Sequence, residues 1–403
     1  MDPKNPNTGK KSQTFCHRPY LDSLRGFACF IVILFHCELP AFSNGFLGVD
    51  IFFVLSGYLI TSILLRKLYY EHRLKYCEFY SRRFQRLFPA SSLTLILTAI
   101  IYRYVELNEY VNKHTNSFIA SSFYYSNWYN LRVASDYFTD KGSDQSPVVH
   151  FWSLSIEEQF YLFYPVVIAI IYKISKKKTS ITILVFASLF VFSFSLNMKL
   201  YEKSHMMSYF STWGRLYQLF AGALAASILF HREITETNFC HYEFRNSEKF
   251  RLLITAIESA IGFAIVTMLI FIAKSTFNAL ILGFTATTFT FFLILVFEVT
   301  GEKNFTKKLL SQNTYLKFIG KISYSMYLTH VPITKIGDIL EVFPFQKVPR
   351  ALLILSITVV ISTIIWHSVE KPAKNTLKIN KNNEKQLSVL RKTVRLQNAE
   401  RGK

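Results

Sequence analysis

RGFACFIVILFH, residues 25–36, sets ten apolar residues between an arginine and a histidine, inside a longer apolar run at 21–39. Ionisable groups are costly in hydrocarbon and are kept there where they act or pair. On a helix advancing about 100° and 1.5 Å per residue, eleven steps make roughly three turns plus 20°, so both side chains share one face about 16 Å apart. One helical stripe then joins an arginine near one membrane surface to a histidine near the other. The spacing is served equally by an interfacial arginine anchor and a histidine bonded to a neighbouring helix.

Outward from this segment the chain keeps the same character. Of its 403 residues 51% are apolar, with 39 Phe and 23 Tyr, yet Lys and Arg outnumber Asp and Glu by 46 to 26, a net charge of +20. Apolar runs separated by basic connections describe an all-α, polytopic transmembrane bundle. No nucleic-acid partner is expected, because no polar stretch is long enough to fold into a basic domain. Residues 1–20 lack the apolar core and small-residue cleavage site of a signal peptide, which leaves the first helix as the targeting signal. Five cysteines without a CxxC spacing suggest neither a disulfide framework nor a zinc site.

Runs able to span fall at 21–39, 46–65, 88–105, 151–172, 179–197, 209–230, 252–273, 277–297, 316–336 and 350–368, about ten spans. Lys and Arg collect from Lys4 to Arg18, from Arg66 to Arg86, from Lys173 to Lys178 and after Lys371. If all four are cytoplasmic, the span count is even and both termini are cytoplasmic. The aromatic segment 118–131 is too short and polar to span, so it reads as interfacial or re-entrant within an external connection, 106–150. The expected organisation is a cytoplasmic segment 1–20, a membrane domain 21–372, and a basic cytoplasmic tail 373–403, partly disordered or briefly helical. The expected location is the plasma or inner membrane, or an endomembrane in a eukaryote.

Four constellations could carry chemistry. Asp50, one turn into GVDIFFVLSGYLI, is a hairpin away from His36 and could orient its imidazole, or else cap the helix or neutralise a partner. In HFWSLSIEEQFYLFYP, His150 and Glu157 are seven apart and share a face, for acceptor binding or proton handling; a Glu157–Arg215 ion pair is the alternative. In YCEFYSRRFQRLFPA, Arg83 and Arg86 are neighbours on a helix, and their forks suit phosphate oxygens or an anionic lipid surface. In GKISYSMYLTHVPI, Tyr324, Tyr327 and His330 recur every third residue, a pattern that more often packs a bundle than reacts.

Together these pieces resemble the integral-membrane acyltransferase family 3, the O-acetyltransferase type. The resemblance runs from about Tyr20 to Pro372. It is carried, in order, by Arg25 and His36 with ten residues between them, GVDIFFVLSGYLI, RFQR, HFWSLSIEEQFYL, GRLYQLFAGAL, ISYSMYLTH and VEKP. It implies an acyl-coenzyme A donor, acetyl-CoA above all, presented from the cytoplasm and gripped by Arg25, Arg83 and Arg86. It also implies a carbohydrate or lipid-linked hydroxyl acceptor beyond the membrane. His36 is then expected as general base or transient acyl carrier, with Asp50 and Glu157 as further catalytic residues. His150, Arg215 and His330 are expected at the acceptor. No metal is needed, and the partners are membrane lipids, donor and acceptor. Many relatives carry an esterase-like domain after the last helix, so this chain reads as the stand-alone membrane form, with a separate periplasmic or luminal partner completing delivery. The competing class is a transporter or flippase, which would use the same buried charges as a pathway but calls for repeat symmetry that the sequence lacks.

Overall fold

The computed structural model describes residues 17–105, 108–136, 146–235, 276–301, 304–343 and 346–373. Most of the N-terminal segment, the predicted span 252–273, the connection at 137–145 and the tail from 374 lie outside the described residues. Those described form α1 (Pro19–His36), α2 (Gly48–Arg66), α3 (Tyr76–Val105), α4 (Asn108–Ser122), α5 (Ser126–Asp136), α6 (Phe151–Ile174) and α7 (Thr179–Lys203). They continue through α8 (His205–Phe210), α9 (Thr212–Thr235), α10 (Thr276–Thr300), α11 (Phe305–Gln312), α12 (Thr314–Ile339) and α13 (Lys347–Ile365). No strand occurs among the described residues, and the chain is an integral, multi-pass membrane protein.

Among the described residues, seven segments are long and apolar enough to cross a membrane: those of α1, α2, α3, α6, α7, α10 and α13. Helices α9 and α12 have 24 and 26 residues but are more polar, because their partners are other helices rather than lipid. Arg215 and Gln218 of α9, and Ser323, Ser325, Thr329 and His330 of α12, are buried. By contrast α7 turns Leu184, Val191 and Phe192 outward.

The aromatic segment 118–131 divides into two short helices. Tyr124 adopts a positive φ of 53° between α4 and α5. The corner is bonded into the bundle: Gln159 Nε2 donates to Tyr124 O at 2.9 Å, and Asn127 Nδ2 donates to Phe210 O and Thr212 Oγ1, both at 3.1 Å. Asn130 Nδ2 donates to Val149 O at 3.1 Å, which fixes the backbone entering α6 just before His150.

Two helix crossings hold the centre together. Between α2 and α9, a Cβ at Gly57 would strike the Leu219 carbonyl, and one at Gly222 the backbone of Val54 and Tyr58. Between α1 and α12, Gly320 meets Asp22 and Gly26 meets Leu316 in the same way. Lipid chains are as apolar as leucine, so helices in a bilayer associate through close packing, which small residues allow. These crossings set the depth at which α1, α2, α9 and α12 present their polar residues.

Gly222→Leu should therefore separate α2 from α9 at a cost of ~1–3 kcal/mol or more, lowering the melting temperature in detergent by several degrees. Leu184→Ala on the outward face of α7 should stay within ~0.5 kcal/mol. Thermal-shift measurements on the two variants check this.

Candidate active site

Two cavities enter the bundle from opposite ends of α1. The first contains about 800 Å³ of empty space, part of it open, and Arg25, Arg83, Arg86, Lys321, Glu157 and Glu370 line it. Arg25 comes from α1, where Asp22 lies 3.8 Å away. Arg83 and Arg86 project from the first turns of α3, while their neighbour Arg82 turns aside to Glu78 at 2.5 Å. The Arg83 guanidinium lies over Tyr161, 4.6 Å from the ring centre, and near Phe79 at 5.8 Å. Neither Arg83 nor Arg86 has a carboxylate in ion-pairing range among the described residues. Like charges three apart on a helix repel, so this wall carries closely spaced positive charge.

Glu157 stands in the same cavity, held by Ser56 Oγ–H at 2.6 Å and by Tyr161 O–H at 3.4 Å; Tyr161 O–H also donates to Ser56 Oγ at 2.8 Å. It is thus separated from the histidines with which it was expected. His150 and Glu157 do lie on one helix, but seven residues also carry the chain about 10.5 Å along its axis, which moves Glu157 from one cavity into the other.

The second cavity, with about 1720 Å³ of empty space including open solvent, is lined by His36, His150, Lys335, Asp338, Lys347 and Arg350 among others. Its rim is charged: Arg350 pairs with Asp338 at 2.5 Å and approaches Glu38 at 4.0 Å. Behind the wall, His330 brings His36 and His150 together, with ring centres 4.8 and 5.1 Å from its own. Each imidazole gives one N–H to a backbone carbonyl: His36 Nδ1 to Val32 O at 2.9 Å, His150 Nε2 to Leu328 O at 3.0 Å, and His330 Nδ1 to Tyr327 O at 2.8 Å. A carbonyl only accepts, so these bonds fix the tautomers of the neutral rings. Nε2 of His36 carries the lone pair that can take a proton. His150 Nδ1 and His330 Nε2 are buried without partners. Among the described residues, no group of three or more His, Cys, Asp or Glu is arranged to hold a metal ion.

Pro332 accounts for the acceptor that His150 finds. Lacking an N–H, it cannot bond the carbonyl four residues earlier, and that carbonyl belongs to Leu328.

Asp50 does not orient His36. It accepts from Arg215 Nη1 at 3.1 Å and from Gln218 Nε2. Arg215 in turn donates from Nε to Tyr209 O at 2.9 Å and lies over Tyr209 and Trp152, 4.5 and 5.5 Å from their ring centres. The arginine expected at the acceptor is therefore spent on Asp50, and it also lines a smaller side pocket with Tyr209 and Phe210. Both partners are almost excluded from solvent, so the pair ties α2 to α9 beside the glycine crossing.

Sequence reasoning did not single out Lys321, Ser56, Tyr161 or the charged rim. It took Tyr327 for packing, yet this ring borders both cavities. The three-residue rhythm of Tyr324, Tyr327 and His330 was the signal, since it places all three on one face of α12.

The family model described as an acyltransferase domain matches residues 18–367. The chain is 32% identical to the O-acetyltransferase OatA of Staphylococcus aureus over 381 residues, 93% of this chain and 60% of that protein. It is 30% identical to the putative peptidoglycan O-acetyltransferase YrhL of Bacillus subtilis over 367 residues, 90% of this chain and 56% of that protein. The chain thus spans less than two thirds of the length of these relatives. No solved structure matches it.

Breaking one side of a buried ion pair leaves an uncompensated charge, a loss of ~3–5 kcal/mol. Asp50→Ala should accordingly destabilise the protein strongly in a detergent thermal-shift experiment. The double variant Asp50→Ala/Arg215→Met should recover more than half of that loss.

Proposed function

The chain belongs to the acyltransferase family whose domain it carries over residues 18–367, and from that premise we propose that it transfers an acyl group from acyl-coenzyme A to a hydroxyl of a carbohydrate. Acetyl is the proposed group, in keeping with the O-acetyltransferase relatives, and a peptidoglycan-type glycan is the proposed acceptor, in keeping with the name of the Bacillus relative. The observation that carries the reading is the pair of cavities: an anion-receiving wall at one end of α1, a base-bearing histidine at the other, and a shared wall between them.

In this reading Arg25, Arg83, Arg86 and Lys321 hold the donor's phosphates. Guanidinium forks make paired, charge-assisted hydrogen bonds to phosphate. The arginine end is taken as cytoplasmic, where the basic connections gather. Glu157, fixed by Ser56 and Tyr161, stands between the arginines and the shared wall and offsets part of their charge.

The acceptor hydroxyl enters the histidine cavity past the Arg350–Asp338 rim. His36 Nε2 takes its proton as the hydroxyl oxygen bonds to the thioester carbonyl carbon. Collapse of the tetrahedral intermediate breaks the carbon–sulfur bond. The thiolate leaves toward the arginine end and takes the proton back from His36, so ester and free thiol are formed and the imidazole is neutral again. His330 and His150, rigidly bonded to the backbone, keep the His36 ring in place. The alternative use of His36, as a nucleophile that carries the acyl group itself, needs the same nitrogen.

His36→Ala should lower acyl transfer by ~10²–10⁴-fold while coenzyme A binding is kept. Arg83→Ala and Arg86→Ala should each weaken coenzyme A binding on the order of 10- to 100-fold, the loss of one charged hydrogen bond. Radiolabelled acetyl-CoA and purified protein supply both measurements. Full transfer by His36→Ala with normal expression would remove His36 from its role.

A further inference from the structure

Among the described lining residues, Val49 and Tyr327 belong to both cavities. They are the wall that an acyl group has to enter if its thioester is held on the arginine side and attacked on the histidine side. Tyr327 is a fixed element of that wall. Its hydroxyl bonds to Ser153 Oγ at 2.6 Å and donates to His150 O at 3.2 Å. Its ring is packed edge-on against Phe52 at 6.2 Å and sits beside His150 and His330 at 5.6 and 5.4 Å.

Val49, in the first turn of α2, belongs with Tyr327, Val32 and Phe53 to one buried cluster. A β-branched side chain on a helix has essentially one rotamer, so its two methyl groups cannot swing clear. Neither side of the aperture yields by rotation. In the acyl-transfer reading, space for an alkyl tail at this boundary then depends on the size of residue 49.

We propose that Val49, set against the hydrogen-bonded ring of Tyr327, determines the acyl length that this protein transfers and restricts it to short acyl donors. The proposal rests on the acyl-transfer reading above and goes beyond it by assigning donor selectivity to one residue outside both the phosphate grip and the histidines. One methylene more or less in a shaped apolar pocket is worth ~10–200-fold in discrimination, so a change at this position is measurable.

The test uses the full chain in detergent, with acetyl-, propionyl- and butyryl-CoA as donors and soluble peptidoglycan glycan strands as acceptor. Thiol release and ester formation are followed, and coenzyme A affinity is measured separately. Wild type should prefer acetyl. Val49→Ala should raise the propionyl-to-acetyl ratio of kcat/KM on the order of 10-fold with coenzyme A affinity unchanged. Val49→Leu, which narrows the aperture, should lower kcat for acetyl without changing that affinity. An unchanged ratio in Val49→Ala overturns the proposal, as does undiminished butyryl transfer by wild type. If Val49→Ala does not fold, Val49→Leu decides: retained kcat for acetyl refutes the role. Absence of transfer from any donor by wild type would instead refute the acyl-transfer reading itself, and the selectivity proposal with it.

Discussion

A polar group inside a bilayer has no water to turn to, so it is bonded within the protein or it faces a cavity. That constraint sorts the ionisable residues of this chain. Asp50, Arg215 and Gln218 satisfy one another; Arg66 pairs with Glu233, and Arg18 with Glu298. Glu157 is held by two hydroxyls. Arg83 and Arg86 stand at one end with no carboxylate in ion-pairing range among the described residues, and His150 Nδ1 and His330 Nε2 are buried without partners at the other.

The same constraint links backbone to site. Pro332 costs α12 one hydrogen bond, and the released Leu328 carbonyl is taken up by His150 from α6. His330, two residues before the proline, folds its ring back onto the Tyr327 carbonyl. A proline in a spanning helix is tolerated where a neighbouring group takes up the released carbonyl, and here that group is itself part of the candidate site. The tautomer of His150 therefore follows from the carbonyl that one proline releases.

Much of this was legible in the sequence. The membrane character, most helix positions and the placement of Arg25 and His36 at opposite ends of α1 follow from apolar length and helical spacing, properties local to a segment. The family reading followed from short motifs in order and agrees with the acyltransferase match over 18–367. Depth and partnership were not legible. Shared helical phase suggested that Glu157 belongs with His150, but phase says nothing of the axial distance that divides them between two cavities. Asp50 seemed near His36 because a hairpin joins them, whereas its partner is 165 residues away on α9, brought close by the Gly57 and Gly222 crossing. Lys321 gave no signal at all, since a lysine in a helix acquires meaning only from what faces it.

A divided site has a chemical rationale. An activated thioester beside a competent base would be hydrolysed if water reached both, and excluding water is one of the tasks of an active site. Here the arginine cavity and the histidine cavity share only Val49 and Tyr327 among the described lining residues. In the proposed reading, a base kept behind that wall has little to act on until an acyl carbonyl reaches it. Holding donor and acceptor on separate sides thus limits the hydrolysis that a single open cavity would permit. On the proposal above, it also makes the wall, rather than either cavity, the place where the identity of the transferred group is read.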